Sequence, residues 1–246
     1  MIGYPMSPPL VISHRTQMGS MPENTLAGID AAFEGGADGV EIDVRATADG
    51  QLVLFHDATL DRTAADPRPL ADLTLQQLRA LQVIDTHNSG GPRPIPTFDE
   101  TLACVDGRGL LVIELKEPGL EERVAAAVRA HQAAEACWIW SFQPAVVQAS
   151  RAALPEVPAW LTFSAGSPTY LGDIDPFEFA PRIGAAGLSV HHQQVTSELV
   201  DRARRRGLLV ATWTVNEPDD LARVRDAGVD AICGDFPDRT LATLSR

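Results

Sequence analysis

Apolar and polar positions along this chain alternate between two periods, short runs of strand length and longer segments with apolar residues three or four apart. Leu10 to Ser13 reads as a strand that ends in His14-Arg15. Pro22 to Thr25, PENT, opens a helix with Leu26, Ile29 and Phe33 on one face, capped by Glu23 or Asn24 and stopped by Gly35-Gly36. From Gly39 to Asp57, Val40, Ile42 and Val44 alternate with Glu41, Asp43 and Arg45, Asp49-Gly50 marks a turn, and Leu52 to Phe55 is apolar. That stretch predicts a β-hairpin.

Ala58 to Pro96 is rich in Pro, Asp, Thr and Gly and carries one short helix, for which Thr74 and Gln77 form a capping box. It suits an irregular insertion or lid over a site. A second capping box at Thr97 and Glu100 opens a helix to about Val105. Strands are then expected at Leu110–Lys116, Cys137–Ser141, Ala159–Phe163, Gly187–Val190, Leu208–Thr214 and Asp230–Gly234. Helices at Glu121–Gln132, Pro144–Ala153, Glu198–Arg206 and Pro218–Ala227 alternate with them, and an irregular passage runs from Phe163 to Pro181.

Strands alternating with helices call for a parallel sheet, and this many alternations favour closure into a single (β/α)8 barrel. The count of strands exceeds a regular barrel by one, which is explained if Leu52–Phe55 returns antiparallel in a hairpin at the barrel mouth. An open doubly wound sheet is the alternative, but no G-x-G-x-x-G follows the first strand. The 246 residues suit one barrel domain over 1–246, with 58–96 as its insertion.

Composition adds exclusions. At 45% hydrophobic and 22% charged the chain buries a core and is not disordered, and no apolar run approaches a membrane span. The first fifteen residues lack a basic, then apolar, signal sequence, so the expected location is cytoplasmic. Cys104, Cys137 and Cys233 are widely spaced and odd in number, as suits reduced core thiols. A net charge of −13 argues against nucleic acid or an anionic membrane as partner, and leaves the oligomeric state open.

Within the hairpin, Glu41 and Asp43 share one face, about 7 Å apart. If Asp49 and Gly50 are the whole loop, His56 lies directly across from Asp43. The plain alternative is an amphipathic edge hairpin whose acidic face is merely wet.

In barrel enzymes the working residues lie where strands end. Those places here hold His14, Arg15, Glu41, Asp43, His56, Glu114, Lys116, Phe142 and Trp213. Three carboxylates from two strands suit one hard divalent cation, Mg2+ or Ca2+, and a buried trio without one would repel and shift upward in pKa. His14 and His56 form a candidate acid and base pair. Arg15 and Lys116 offer contacts to a phosphate, or ion pairs with Glu41 and Glu114 in its absence. Phe142 and Trp213 are candidate pocket walls, whereas His191-His192, His87 and His131 are weaker candidates.

In this order, HR at His14-Arg15, PENT, GAD-x-x-E-x-D-V from Gly36, T-x-DG from Thr47, HD at His56, RT at Arg62, E-x-K at Glu114, W-T-V-N at Trp213 and GVDAICGDFPD from Gly228 resemble the glycerophosphodiester phosphodiesterases. The resemblance implies a barrel hydrolysing small glycerophosphodiesters to sn-glycerol 3-phosphate and an alcohol. By it, Glu41, Asp43 and Glu114 bind the cation, His14 and His56 are acid and base, and Arg15 and Lys116 hold the phosphate. The chain departs at Thr16, where the family usually has Gly, and its short segment between His56 and Glu114 leaves little material for a cap that selects the alcohol.

Other readings on the same scaffold are a lysophospholipase D-like or sphingomyelinase D-like enzyme releasing a cyclic phosphate, and a non-catalytic phosphodiester-binding barrel.

Overall fold

Eight parallel strands close on themselves in the computed structural model, which describes residues 8–164 and 175–244. In chain order the strands are β1 (Leu10–Ser13), β2 (Gly39–Ala46), β3 (Leu52–Leu54), β4 (Gln82–Val83), β5 (Arg93–Pro94), β6 (Leu110–Leu115), β7 (Cys137–Ser141), β8 (Ala159–Phe163), β9 (Gly187–His191), β10 (Leu209–Trp213) and β11 (Ala231–Gly234). The ring runs β1, β2, β6, β7, β8, β9, β10, β11, and β1 pairs with both β2 and β11. Helices between the strands cover its outside, so the expected (β/α)8 barrel is the architecture found.

Alternation along each strand divides the apolar residues between two layers. Val40, Ile42 and Val44 of β2 with Leu111, Ile113 and Leu115 of β6 pack outward against the helices. Inside the ring, Ile12, Val112, Trp140, Trp160, Ala211, Ala231 and Cys233 form a separate cluster. Gly187 makes room for it, because a Cβ there would meet the Trp160 ring at 2.4 Å.

The hairpin at the mouth exists, but its register is one residue from the expected one. Val44 pairs with Leu54 and Ala46 with Leu52, and Thr47 N–H donates to Gln51 O. The loop is therefore Ala48–Gly50, with Gly50 left-handed at φ 78, a three-residue connection and not the two-residue turn that Asp-Gly suggests. β3 stops at Leu54, Phe55 turns into a neighbouring core, and His56 is not a cross-strand partner of Asp43.

The insertion is more regular than expected. It holds short helices at Asp61–Ala64 and Leu75–Leu78, a 3-10 turn at Leu70–Asp72, and the β4–β5 pair. Leu60, Leu70, Leu73, Leu78, Val83 and Ile95 pack with Val53 and Phe55 into its own apolar cluster. Both capping boxes form. Neither Glu23 nor Asn24 caps the first helix, Leu26–Glu34; Thr25 does, accepting from Gly28 N–H, because both neighbours are committed elsewhere. A helix at Pro237–Leu244, absent from the pattern reading, follows β11. Residues 1–7, part of the stretch expected to lack a signal sequence, and most of the irregular passage before Pro181 lie outside the described residues. No helix among the described residues is long and apolar enough to cross a membrane.

Candidate active site

Register alone brings the carboxylates together. β2 and β6 run parallel with Asp43 beside Glu114 and Glu41 one inward step earlier, so all three project into the barrel mouth. One ligand oxygen from each lies within 4.8 Å of the others, and all three residues are buried. Burial, and then Asp43 and Glu114, push the Glu41 carboxyl well above its ordinary value. Glu41 Oε2 accepts from Arg15 N–H at 2.9 Å, while buried Oε1 has no hydrogen-bond partner. A buried oxygen-only trio with an unpartnered oxygen fits a hard divalent cation.

Asp43 is held differently. Burial would raise it, but Lys116, His56 and Arg15, together with an Asn24 hydrogen bond, hold its carboxyl below the usual range. Asn24 Nδ2 donates to Asp43 Oδ2 at 2.7 Å, and Asp43 N–H donates to Asn24 Oδ1 at 3.0 Å. That amide clamp requires Asn24 to adopt a left-handed φ of 55, which asparagine tolerates. Lys116 Nζ contacts Asp43 at 3.0 Å and Glu114 at 2.5 Å, and these charges keep the ammonium protonated although burial opposes it.

His14 and His56 each have Nδ1 bonded to an aspartate, which leaves Nε2 for other partners. His14 Nδ1 lies 2.7 Å from Asp235 Oδ1, and Asp235 Oδ2 accepts from Asn216 Nδ2 at 2.7 Å. His56 Nδ1 lies 2.7 Å from Asp57 Oδ1, and Asp57 Oδ2 accepts from Arg62 Nε at 2.5 Å. Burial, with Lys116 and Arg15 adding to it, lowers the His56 ring below its ordinary value against the pull of Asp43. Arg45 Nε donates to His56 O at 2.9 Å and anchors that turn of chain to β2.

A cavity of about 110 Å³ is lined by all seven predicted charged residues and by Phe142, Trp213, Trp140, Thr162, Thr214 and Cys233. An adjoining groove of about 270 Å³ shares His56, Glu114, Lys116 and Phe142. Phe142 and Trp213 meet edge to face at 5.4 Å, and His191 stands against Trp213 at 5.2 Å. His192 lies outside that lining, facing Asp220 at 3.4 Å. His131 lies in a larger cavity, about 470 Å³, at the amino-terminal ends of β6 and β7, where no carboxylate trio accompanies it among the described residues.

Asp235, Asn216, Asp57, Asn24 and Glu23 also belong to this network, although in the residue pattern they stand only as motif members or helix caps. Asp235 directly follows β11, so the strand-end rule reaches it, and Asp57 adjoins His56. Glu23 and Asn24 sit where a capping reading absorbs them. The Thr16 departure also has a structural answer: it is left-handed at φ 74, buried, and its Oγ1 fills the space a Cβ on Gly28 would need.

Residues 14–239 match the model of the Glycerophosphoryl diester phosphodiesterase family. A glycerophosphodiester phosphodiesterase of Caldanaerobacter subterraneus subsp. tengcongensis is 33% identical, aligned over 96% of this chain and 98% of its own. Among solved structures, an Oleispira antarctica phosphodiesterase in complex with the product sn-glycerol-3-phosphate superposes with a TM-score of 0.85 at 27% identity, covering 97% of this chain and 98% of that one. A glycerophosphodiester phosphodiesterase from Agrobacterium tumefaciens gives 0.81 at 27% identity, covering 95% and 99%.

Proposed function

The chain belongs to the glycerophosphoryl diester phosphodiesterase family and is an enzyme of that kind, and from this premise we propose that it splits small glycerophosphodiesters by two-histidine acid and base chemistry with one divalent cation. The observation that carries the reading is the convergence of Glu41, Asp43 and Glu114 in a cavity also lined by His14, His56, Arg15 and Lys116. The Oleispira relative's complex with sn-glycerol-3-phosphate supports that product class.

Glu41, Asp43 and Glu114 would hold the cation, which when bound supplies Lewis-acid neutralisation of phosphoryl oxygens. Arg15 and Lys116 bind the remaining phosphoryl charge as a fork and a point charge. Phe142 and Trp213 wall the pocket and exclude water from one side.

The two dyads differ in their carboxylates. Asp57 is already bonded to the Arg62 guanidinium, whereas Asp235 is bonded to the neutral Asn216 amide. A protonated ring is therefore matched by an undivided opposite charge at His14 and not at His56. His56, neutral, takes the proton from the attacking water as its oxygen bonds to phosphorus; His14 delivers a proton to the alkoxide oxygen as its bond to phosphorus breaks.

The test is a glycerophosphocholine assay read by release of sn-glycerol 3-phosphate, run with Mg2+, with Ca2+ and after EDTA. Turnover that EDTA abolishes and either metal restores is expected; turnover indifferent to EDTA excludes the cation's role, and no turnover on any glycerophosphodiester excludes the activity.

A further inference from the structure

One guanidinium at the rim reaches both halves of the charge network. Arg62 stands in the short helix Asp61–Ala64 of the insertion with 44% of its side chain exposed. Its Nε donates to Asp57 Oδ2 at 2.5 Å, and its Nη1 and Nη2 donate to Glu23 Oε2 and Oε1 at 2.7 and 2.8 Å. Glu23, only 9% exposed, also accepts from Arg15 Nη1 at 3.3 Å. Arg62 is thus one carboxylate away from His56 on one side and one carboxylate away from Arg15 on the other.

An exposed ion pair usually contributes little, and a lone contact here would be no exception. Three features set this group apart. All three guanidinium nitrogens are used, the pairing to Glu23 is a parallel fork, and the receiving carboxylate is buried between two arginines. The insertion does not need the contact for cohesion, because it has the apolar cluster described above.

We propose that Arg62 is a positioning residue for phosphodiester cleavage, fixing His56 through Asp57 and Arg15 through Glu23 in one mutual geometry. The proposal rests on the reading of His56 as base and Arg15 as phosphate ligand. Small displacements of such groups are costly in rate.

The test compares kcat and KM on glycerophosphocholine, with the thermal midpoint of each variant, for wild type, D57N, E23Q, R62Q and R62K. R68Q serves as control, since Arg68 pairs with Asp66 on the same insertion and touches none of these groups. D57N is expected to lower kcat about 10- to 100-fold, and E23Q to raise KM about tenfold. R62Q should show both effects together, and R62K should recover little, because a single ammonium cannot reproduce a fork on one carboxylate and a bond to another. Millimolar guanidinium should restore part of the R62Q rate and none of the D57N rate. Folded R62Q or R62K with both constants within about twofold of wild type overturns the proposal while leaving the phosphodiesterase reading intact. An inactive wild type overturns that reading instead.

Discussion

Lys116 Nζ lies 3.0 Å from Asp43 Oδ1, and the same ammonium reaches Glu114 at 2.5 Å, so one cation side chain bridges two of the three grouped carboxylates. Removing it leaves buried Asp43 with His56, Arg15 and the Asn24 amide. Lys116→Ala should cost the metal-free protein about 3–5 kcal/mol, read from urea unfolding in EDTA. Added Mg2+ or Ca2+ should restore part of that stability and none of the turnover. An unfolding midpoint equal to wild type in EDTA would show that the bridge carries no such weight.

Glu41 predicts an effect of opposite sign. Burial and its two acidic neighbours disfavour its charged form, so the amide of Glu41→Gln relieves a conflict in the metal-free protein. The variant should unfold at higher temperature than wild type in EDTA. With metal at a hundredfold its dissociation constant, wild type should gain about 2.7 kcal/mol and the variant almost nothing. Parallel responses of the two proteins to metal would remove Glu41 from the ligand set.

The Asp235 dyad sets a pH dependence. Burial would raise its carboxyl, but the bond and charge of His14, the Asn216 amide and Arg15 hold it below the ordinary aspartate range. A depressed folded value contributes stability above the unfolded value, about 3.9, and loses it as pH falls through the folded one. Asp235→Asn should therefore be less stable than wild type at pH 6, with the gap closing below about pH 4. A gap constant down to pH 3, measured by thermal unfolding, contradicts the dyad.

Thr16 and Gly28 form a coupled pair. In a helix, Gly28→Ala would ordinarily gain up to about 1 kcal/mol, but the new Cβ would stand 2.2 Å from Thr16 Oγ1. The clash should instead destabilise by about 1–3 kcal/mol. Adding Thr16→Gly should recover most of the loss and remove a left-handed β-branched residue. Additive effects of the two substitutions in denaturant titrations would disprove the contact.

Replacing either proton-transfer candidate tests the chemistry directly. His14→Ala and His56→Ala should each lower kcat by about 10²- to 10⁴-fold while the far-ultraviolet dichroism stays that of the folded wild type. Substantial turnover in either variant removes that histidine from the mechanism.

Much of this was legible in the order of residues because a parallel barrel is written in local patterns. Apolar runs gave the strands, and period-two alternation gave the shared face of Glu41 and Asp43. What escaped depended on the chain's return from far away. His14 is bonded to Asp235, 221 positions later, and no periodicity carries that pairing. Asn24 and Glu23 carry ordinary capping chemistry in sequence and quite different duties in space, because a left-handed turn aims Asn24 at Asp43. The hairpin register missed by one residue for a local reason: Thr47 closes the loop through Gln51, so the loop holds one residue more than Asp-Gly alone implies.

Hydrogen bonding of β1 to β11 has a consequence during synthesis. The first wall of the ring leaves the ribosome on the order of ten to forty seconds before the last, at about 5–20 residues per second over those 221 positions. Until then Ile12 lacks its neighbour Cys233, and the growing polypeptide offers an unsealed apolar seam to chaperones or to other nascent chains. Mutations that slow translation late in the message should accordingly lower the yield of this protein more than similar changes early in it.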